Sequence, residues 1–167
     1  MNYSKEQLRR LHYLLSDQWV SDDIEQTERE FQRVLAQIDS PYELHQFAGN
    51  FNWDGGFAEM QDVLRHPLCD KGTGLMIYYV GGAPFLYSKL NASKPLILDQ
   101  SLRFEFLKEI ERMFERGEFR HSWIKFDPTN ARGRNFLQKK GAEFIPPYMK
   151  QPTEGEEVEI LNFLPES

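Results

Sequence analysis

The residues of this chain best suited to chemistry are His66, Cys69 and Asp70, which fall within five consecutive positions. A thiolate at a helix start is stabilised by the backbone dipole, and a nearby imidazole would take its proton, so a nucleophilic thiol is one reading. Asp70 opposes it, because an adjacent carboxylate raises the thiol's pKa. The competing reading makes Cys69 a small core residue, Asp70 a helix cap and His66 a turn residue bonded to backbone, and residue preferences favour it. Upstream, Asn52-Trp53-Asp54 precedes two glycines and Phe57, which sets a large aromatic in a turn-forming loop. Trp53 is there either as a recognition aromatic or as an anchor fastening the loop to the core, and burial statistics for tryptophan favour the anchor. A metal shared by His45, Asp54, His66 and Cys69 is disfavoured by spacing. The helix expected between the two loops would part its ends by roughly 13 Å, and no pair has the tight spacing of a structural zinc site. The candidate binding cluster is therefore Asn52, Trp53, Asp54, His66, Cys69 and Asp70, with no catalytic residue, metal or cofactor assigned.

These residues need elements to hold them. Ser4-Lys5-Glu6-Gln7 is a capping box, followed at helical spacing by Leu8, Leu11, Leu14, Leu15 and Trp19. Ser21 opens a second helix, whose stripe is Ile24, Phe31, Val34, Leu35 and Ile38, after a tight turn near Val20. Ser40-Pro41-Tyr42-Glu43 is a further capping box with proline at the first helical position. It starts a short helix through Leu44, Phe47 and Ala48 that ends at Gly49. Phe57, Met60, Val63 and Leu64 mark the next helix, stopped by Pro67. The apolar run 75–80 fits a buried strand or a buried helix, and the start signal at Asp70 favours helix, ended by Gly81-Gly82-Ala83-Pro84. A loop through Ser93-Lys94-Pro95 leads to a long helix from about Ser101, with Leu102, Phe106, Leu107, Ile110 and Phe114 on one face and Gly117 at its end. The pattern then predicts a short strand at 123–126, a turn at 127–130, a helix over 132–140 and a second short strand near 143–146. Arg132, Arg134, Lys139 and Lys140 would give that last helix a basic end, read as a solvated face. The expected architecture is mainly α: one multi-helix bundle with a helical hairpin at 1–39, a main body at 40–152 and a mobile acidic tail at 153–167. From that tail Ile160, Leu161, Phe163 and Leu164 are expected to dock back.

Two motifs in order carry a family resemblance. Asn52-Trp53-Asp54-Gly55-Gly56-Phe57 and His66-Pro67-Leu68-Cys69-Asp70-Lys71-Gly72-Thr73 resemble the Asn-Trp-Asp-x-Gly-Phe and His-Pro-x-Cys-Asp-x-Gly-Thr segments of a bacterial family, domain of unknown function number 4274. The resemblance covers about residues 44–80, with Gly74 where a residue such as alanine is expected. It implies a bacterial source and no known activity, so no catalytic residue is carried over. Residues 130–144 look like the closing segment of the Gcn5-related acetyltransferases, where an Asn opens a helix ending in Lys-x-Gly-Phe before a final strand. Here Ala142 replaces the Phe, and the stretch corresponding to that family's phosphate-holding loop, 98–103, contains no glycine.

The chain has 167 residues, 40% of them hydrophobic and 14% aromatic, enough for a core without a disulfide or metal staple. One cysteine cannot close an internal disulfide and fits a reducing compartment. No run approaches the ~18 apolar residues of a membrane span, and the first residues lack the pattern of a secretory leader, so cytoplasm is the expected location. Twenty basic against 26 acidic residues leave a formal charge of −6, which disfavours nucleic acid and favours, if anything, a basic protein partner. The expected function is a binding or interaction module such as an adaptor or a toxin-neutralising immunity protein. The alternative is an enzyme, either a degenerate acetyl-CoA-dependent acyltransferase or a Cys/His hydrolase.

Overall fold

Local capping chemistry places the first helix. The computed structural model describes residues 2–163, and in it α1 (Lys5–Leu15) begins at a complete capping box: Ser4 Oγ accepts from the Gln7 amide and Gln7 Oε1 accepts from the Ser4 amide. Leu11 and Leu14 are buried, and Trp19 folds back after the helix to donate its Nε1 to the Leu14 carbonyl at 2.9 Å. The second helix, α2 (Ile24–Leu35), starts at Asp23 rather than Ser21, so the connection is longer than the tight turn expected near Val20. Ile24 is 75% exposed and leaves the expected stripe, whereas Phe31, Val34, Leu35 and Ile38 are buried.

Ser40 caps α3 (Pro41–Asn50) through the Tyr42 amide, but Glu43 does not complete a box. Its fully buried carboxylate is instead gripped by Arg10 of α1, with Nε and Nη2 each at 2.8 Å. A short connection carries the chain into α4 (Ala58–Arg65), which ends just ahead of Pro67. The ambiguous apolar run belongs to α5 (Lys71–Val80), a helix with Gly72 to Tyr79 all buried. It is surrounded by α3, by α6 (Ala83–Asn91), by α7 (Leu98–Arg116) and by the strand β1 (Ile124–Lys125). A helix packed on all sides is apolar on all sides, which is why its sequence lacks a helical stripe.

The helix α6 was not expected. Gly82, at φ 98°, ends one helix, while Pro84 in the next first turn costs no hydrogen bond, so the stop signal is also a start signal. α7 begins at Leu98, ahead of the expected Ser101, and closes at Gly117 with φ 64°. Phe106, Leu107 and Ile110 face the core, but Leu102 is 53% exposed.

Beyond α7 the expectations hold less well. β1 is two residues long and pairs in parallel with β2 (Glu156–Glu157), in the register Ile124–Glu156 and Lys125–Glu157. The helix expected over 132–140 does not form. Arg132 and Gly133 take left-handed backbone angles, Ala131 and Arg134 exchange backbone hydrogen bonds across a tight turn, and within 132–140 the helical structure is one 3-10 turn, Phe136–Gln138. The proposed basic helix end is therefore absent, as is the helix on which the acetyltransferase likeness depends. The second strand, expected near 143–146, is replaced by a 3-10 turn at Ala142–Phe144. Nor is the tail free through residue 163: Thr153 bridges the Phe126 amide and the Ile124 carbonyl, β2 pairs with β1, and Ile160 and Phe163 pack on the core. Leu164, also expected to dock, lies outside the described residues. The result is a mainly α fold with seven helices and two short strands among the described residues. None of these helices is long and apolar enough to cross a membrane.

Candidate functional site

The first motif is built as a turn. Asn52 accepts from the Asp54 amide at 3.1 Å and so caps a 3-10 turn at Trp53–Gly55. Asp54 is exposed and Trp53 half-buried. The indole packs edge-on against Phe51, at 5.5 Å between ring centroids, and the Arg103 guanidinium of α7 lies 5.6 Å from its ring centre. Asn52 and Asp54 thus shape the loop, and Trp53 fastens it to α7.

The second motif is built as a junction. His66 follows α4, is half-buried, and accepts from the Leu68 amide through Nδ1 at 3.2 Å. Burial lowers its pKa, with the Leu35 backbone opposing. Cys69 is 5% exposed, and burial, reinforced by the charge of Asp70, pushes its thiol well above the ordinary value. A thiol held in that form is no nucleophile. Asp70 is fully buried and accepts three backbone amides: Gly72 at 2.8 Å, Trp123 at 2.7 Å and Ile124 at 3.3 Å. It therefore caps α5 and also ties β1 to that helix. Gly72 is needed there because a Cβ would run into the Ile124 carbonyl. Among the described residues no three His, Cys, Asp or Glu side chains gather into a metal-binding group.

The six candidate residues are not gathered around one hollow. His66 and Cys69 do, however, line a hollow of about 520 Å³ between the end of α4 and the C-terminal half of α7, whereas Asn52, Trp53, Asp54 and Asp70 do not line it. Its apolar lining includes Leu64, Pro67, Met113 and Phe119. Around these stand Arg65, Arg112, Arg116 and Arg120, against only Glu109 and Glu118. Arg116 meets Glu118 at 3.7 Å, an exposed and weak pair, while Arg65, Arg112 and Arg120 have no carboxylate partner among the described residues. A second hollow of about 370 Å³ continues along the same two helices, lined by Phe57, Gln61, Leu102, Glu105 and Phe106. Glu109 and Arg112 line both, so the two hollows form one cleft. The stacked rings of Phe57 and Phe106, 5.4 Å apart, belong to its apolar end.

Unpaired guanidiniums are forked donors matched to carboxylate and phosphate oxygens. The cleft can thus hold an anion beside apolar surface, and it presents no activated nucleophile. Sequence reasoning missed these arginines because they come from separate segments. Only the four-residue spacing of Arg112 and Arg116 hinted at a shared face.

No curated protein and no solved structure matches the chain. Residues 39–115, from just before α3 to the last turn of α7, match the model of a family described as a domain of unknown function, DUF4274.

Proposed function

We propose that the chain is a protein-binding module of the adaptor or immunity-protein kind, and that its working face is the cleft between α4 and α7. The observation that carries this reading is the set of arginines without carboxylate partners beside apolar surface in a chain of net charge −6. Cations kept apart from the many available acids are poised for an outside anion, and interfaces are enriched in arginine at their centres. The hydrolase alternative needs a reactive Cys69, whose thiol is buried and holds its proton tightly. The acyltransferase alternative needs the helix that residues 132–140 do not form.

The test is site-specific photo-crosslinking in cells that make the protein. A photoreactive amino acid replaces Leu102 or Arg65 in the cleft, or Glu28 on the exposed side of α2 as a control. Discrete protein adducts are expected from the two cleft positions and not from position 28. Equal adducts at all three positions, or none at any, would count against the proposal.

A further inference from the structure

We infer that the cleft receives a helical segment of a partner protein that is apolar at one end, basic in the middle and acidic at the other. This rests on the binding-module reading above and specifies the occupant. The exposed or half-exposed stripe of α7 that lines the cleft runs Leu102, Glu105, Glu109, Arg112 and Arg116, at alternating spacings of three and four that keep one helix face. Leu98, one turn earlier, extends it and is 76% exposed. The stripe is therefore zoned: leucines first, then glutamates, then arginines.

The opposite wall adds an aromatic to the first zone and an arginine to the last, with no acid of α4 lining either hollow. Phe57 and Gln61 of the α4 side face the leucine end, and Leu64 and Arg65 face the arginine end. Both walls thus carry arginine at the same end of the cleft, Arg65 on one side and Arg112 and Arg116 on the other. Leu102 and Arg116 are 14 residues apart in sequence, so the zones span roughly 21 Å along the helix. That length suits four turns of a partner helix lying in a groove between two helices. A free phosphate would use only the arginine end and leave the exposed leucines uncovered. An RNA strand would meet Glu105 and Glu109 midway, at a cost in repulsion. The partner best complementary to all three zones has two apolar side chains on one face, a lysine or arginine one to two turns on, and a pair of carboxylates in its last turns.

Selection of a phage-displayed library of helical 18-residue peptides on the full chain, followed by fluorescence anisotropy of an enriched peptide, decides the matter. The expected enriched sequences share the apolar–basic–acidic order, and the Arg112→Glu/Arg116→Glu variant weakens binding at least tenfold. Reversing the peptide's acidic pair to lysine is expected to restore binding to that variant and abolish binding to the unaltered chain. Leu102→Lys, at an exposed position, reports on the apolar zone, and circular dichroism confirms that each variant is folded. No enrichment, enriched sequences without the acidic pair, or displacement by equimolar pyrophosphate or oligouridylate would overturn the inference. If crosslinks form at positions 65 and 102 while these peptides fail, the cleft is a binding face and only the occupant is wrong. If crosslinks also fail, the underlying reading falls with it.

Discussion

Both oxygens of the Asp70 carboxylate are committed to backbone: Oδ1 accepts from Gly72 and Ile124, and Oδ2 from Trp123. Asp70→Ala would strand three donors in the interior, each costing about 1–3 kcal/mol. The expected loss is therefore about 3 kcal/mol or more, with a smaller loss for Asp70→Asn, which keeps one acceptor oxygen. Urea denaturation of both variants measures it, and equal losses would mean that the carboxylate geometry is not what matters. The capping half of this role was legible in the sequence, because a cap acts within three residues. Its grip on Trp123 and Ile124 was not, since nothing local links positions so far apart. His45 makes a second prediction at this scale. Burial, and then the charge of Arg132, lower its imidazole to about 3, while Nδ1 shares a 2.9 Å hydrogen bond with the Thr73 hydroxyl. An unfolded histidine titrates near 6.5. Below that pH the unfolded chain gains a proton that the folded chain refuses, so stability falls as pH drops from about 6.5 towards 3 and is unaffected above. The limiting slope is about 1.4 kcal/mol per pH unit. Between pH 6.5 and 5 ordinary carboxylates remain largely ionised in both states, so His45→Gln should reduce the slope of stability against pH in that window, leaving the contribution of His66, whose pKa burial also lowers. Wild-type and variant slopes that coincide would show that His45 is not the group responsible.

At the level of elements, α1 and α3 are joined by an ion pair with one partner fully buried. Arg10 holds Glu43 through two nitrogens, and this hydrogen bonding, with the charge of Glu43 behind it, raises the arginine's pKa. Removing the cation alone by Arg10→Met would leave a buried carboxylate uncompensated, at a cost of about 3–5 kcal/mol. Arg10→Met combined with Glu43→Met should recover much of that loss, because apolar replacement of both partners avoids the stranded charge. Simple additivity in the double-mutant cycle would rule this coupling out. The same pair illustrates what sequence can and cannot supply. Ser40-Pro41-Tyr42-Glu43 located the start of α3 correctly, yet Glu43 turned away from its local amide because a distant guanidinium offered more. Likewise α5 was identified through its cap despite its uniform hydrophobicity, whereas α6 was hidden by glycines and a proline that suit a restart as well as a stop. Residues 132–140 erred in the opposite direction. Of the apolar side chains there Phe136 is the buried one, and the left-handed angles at 132 and 133 make a turn that a helical pattern cannot anticipate.

Across the whole molecule, Tyr3 and residues 159–161 meet on α3. The fully buried Gln46 donates to the Tyr3 hydroxyl and the Glu159 carbonyl and accepts from the Leu161 amide, while Ile160 packs directly over Gly49. Together with β2 on β1, these contacts make residues 153–163 a strap over α3 and β1. The cleft lies elsewhere in the chain, since no residue after Arg120 lines either hollow. Deleting residues 154–167 should therefore have a divided effect. Gln46 would lose two of its three partners, the edge of β1 would open, and the denaturation midpoint should fall. In hydrogen exchange, protection should drop in α3 and around 123–126 but persist along α7. If the fold is partitioned in this way, the truncated chain keeps both helices of the cleft and still binds whatever the complete chain binds there. Uniform loss of protection would instead mean that the strap and the cleft belong to one cooperative unit, and binding would then fall in step with stability.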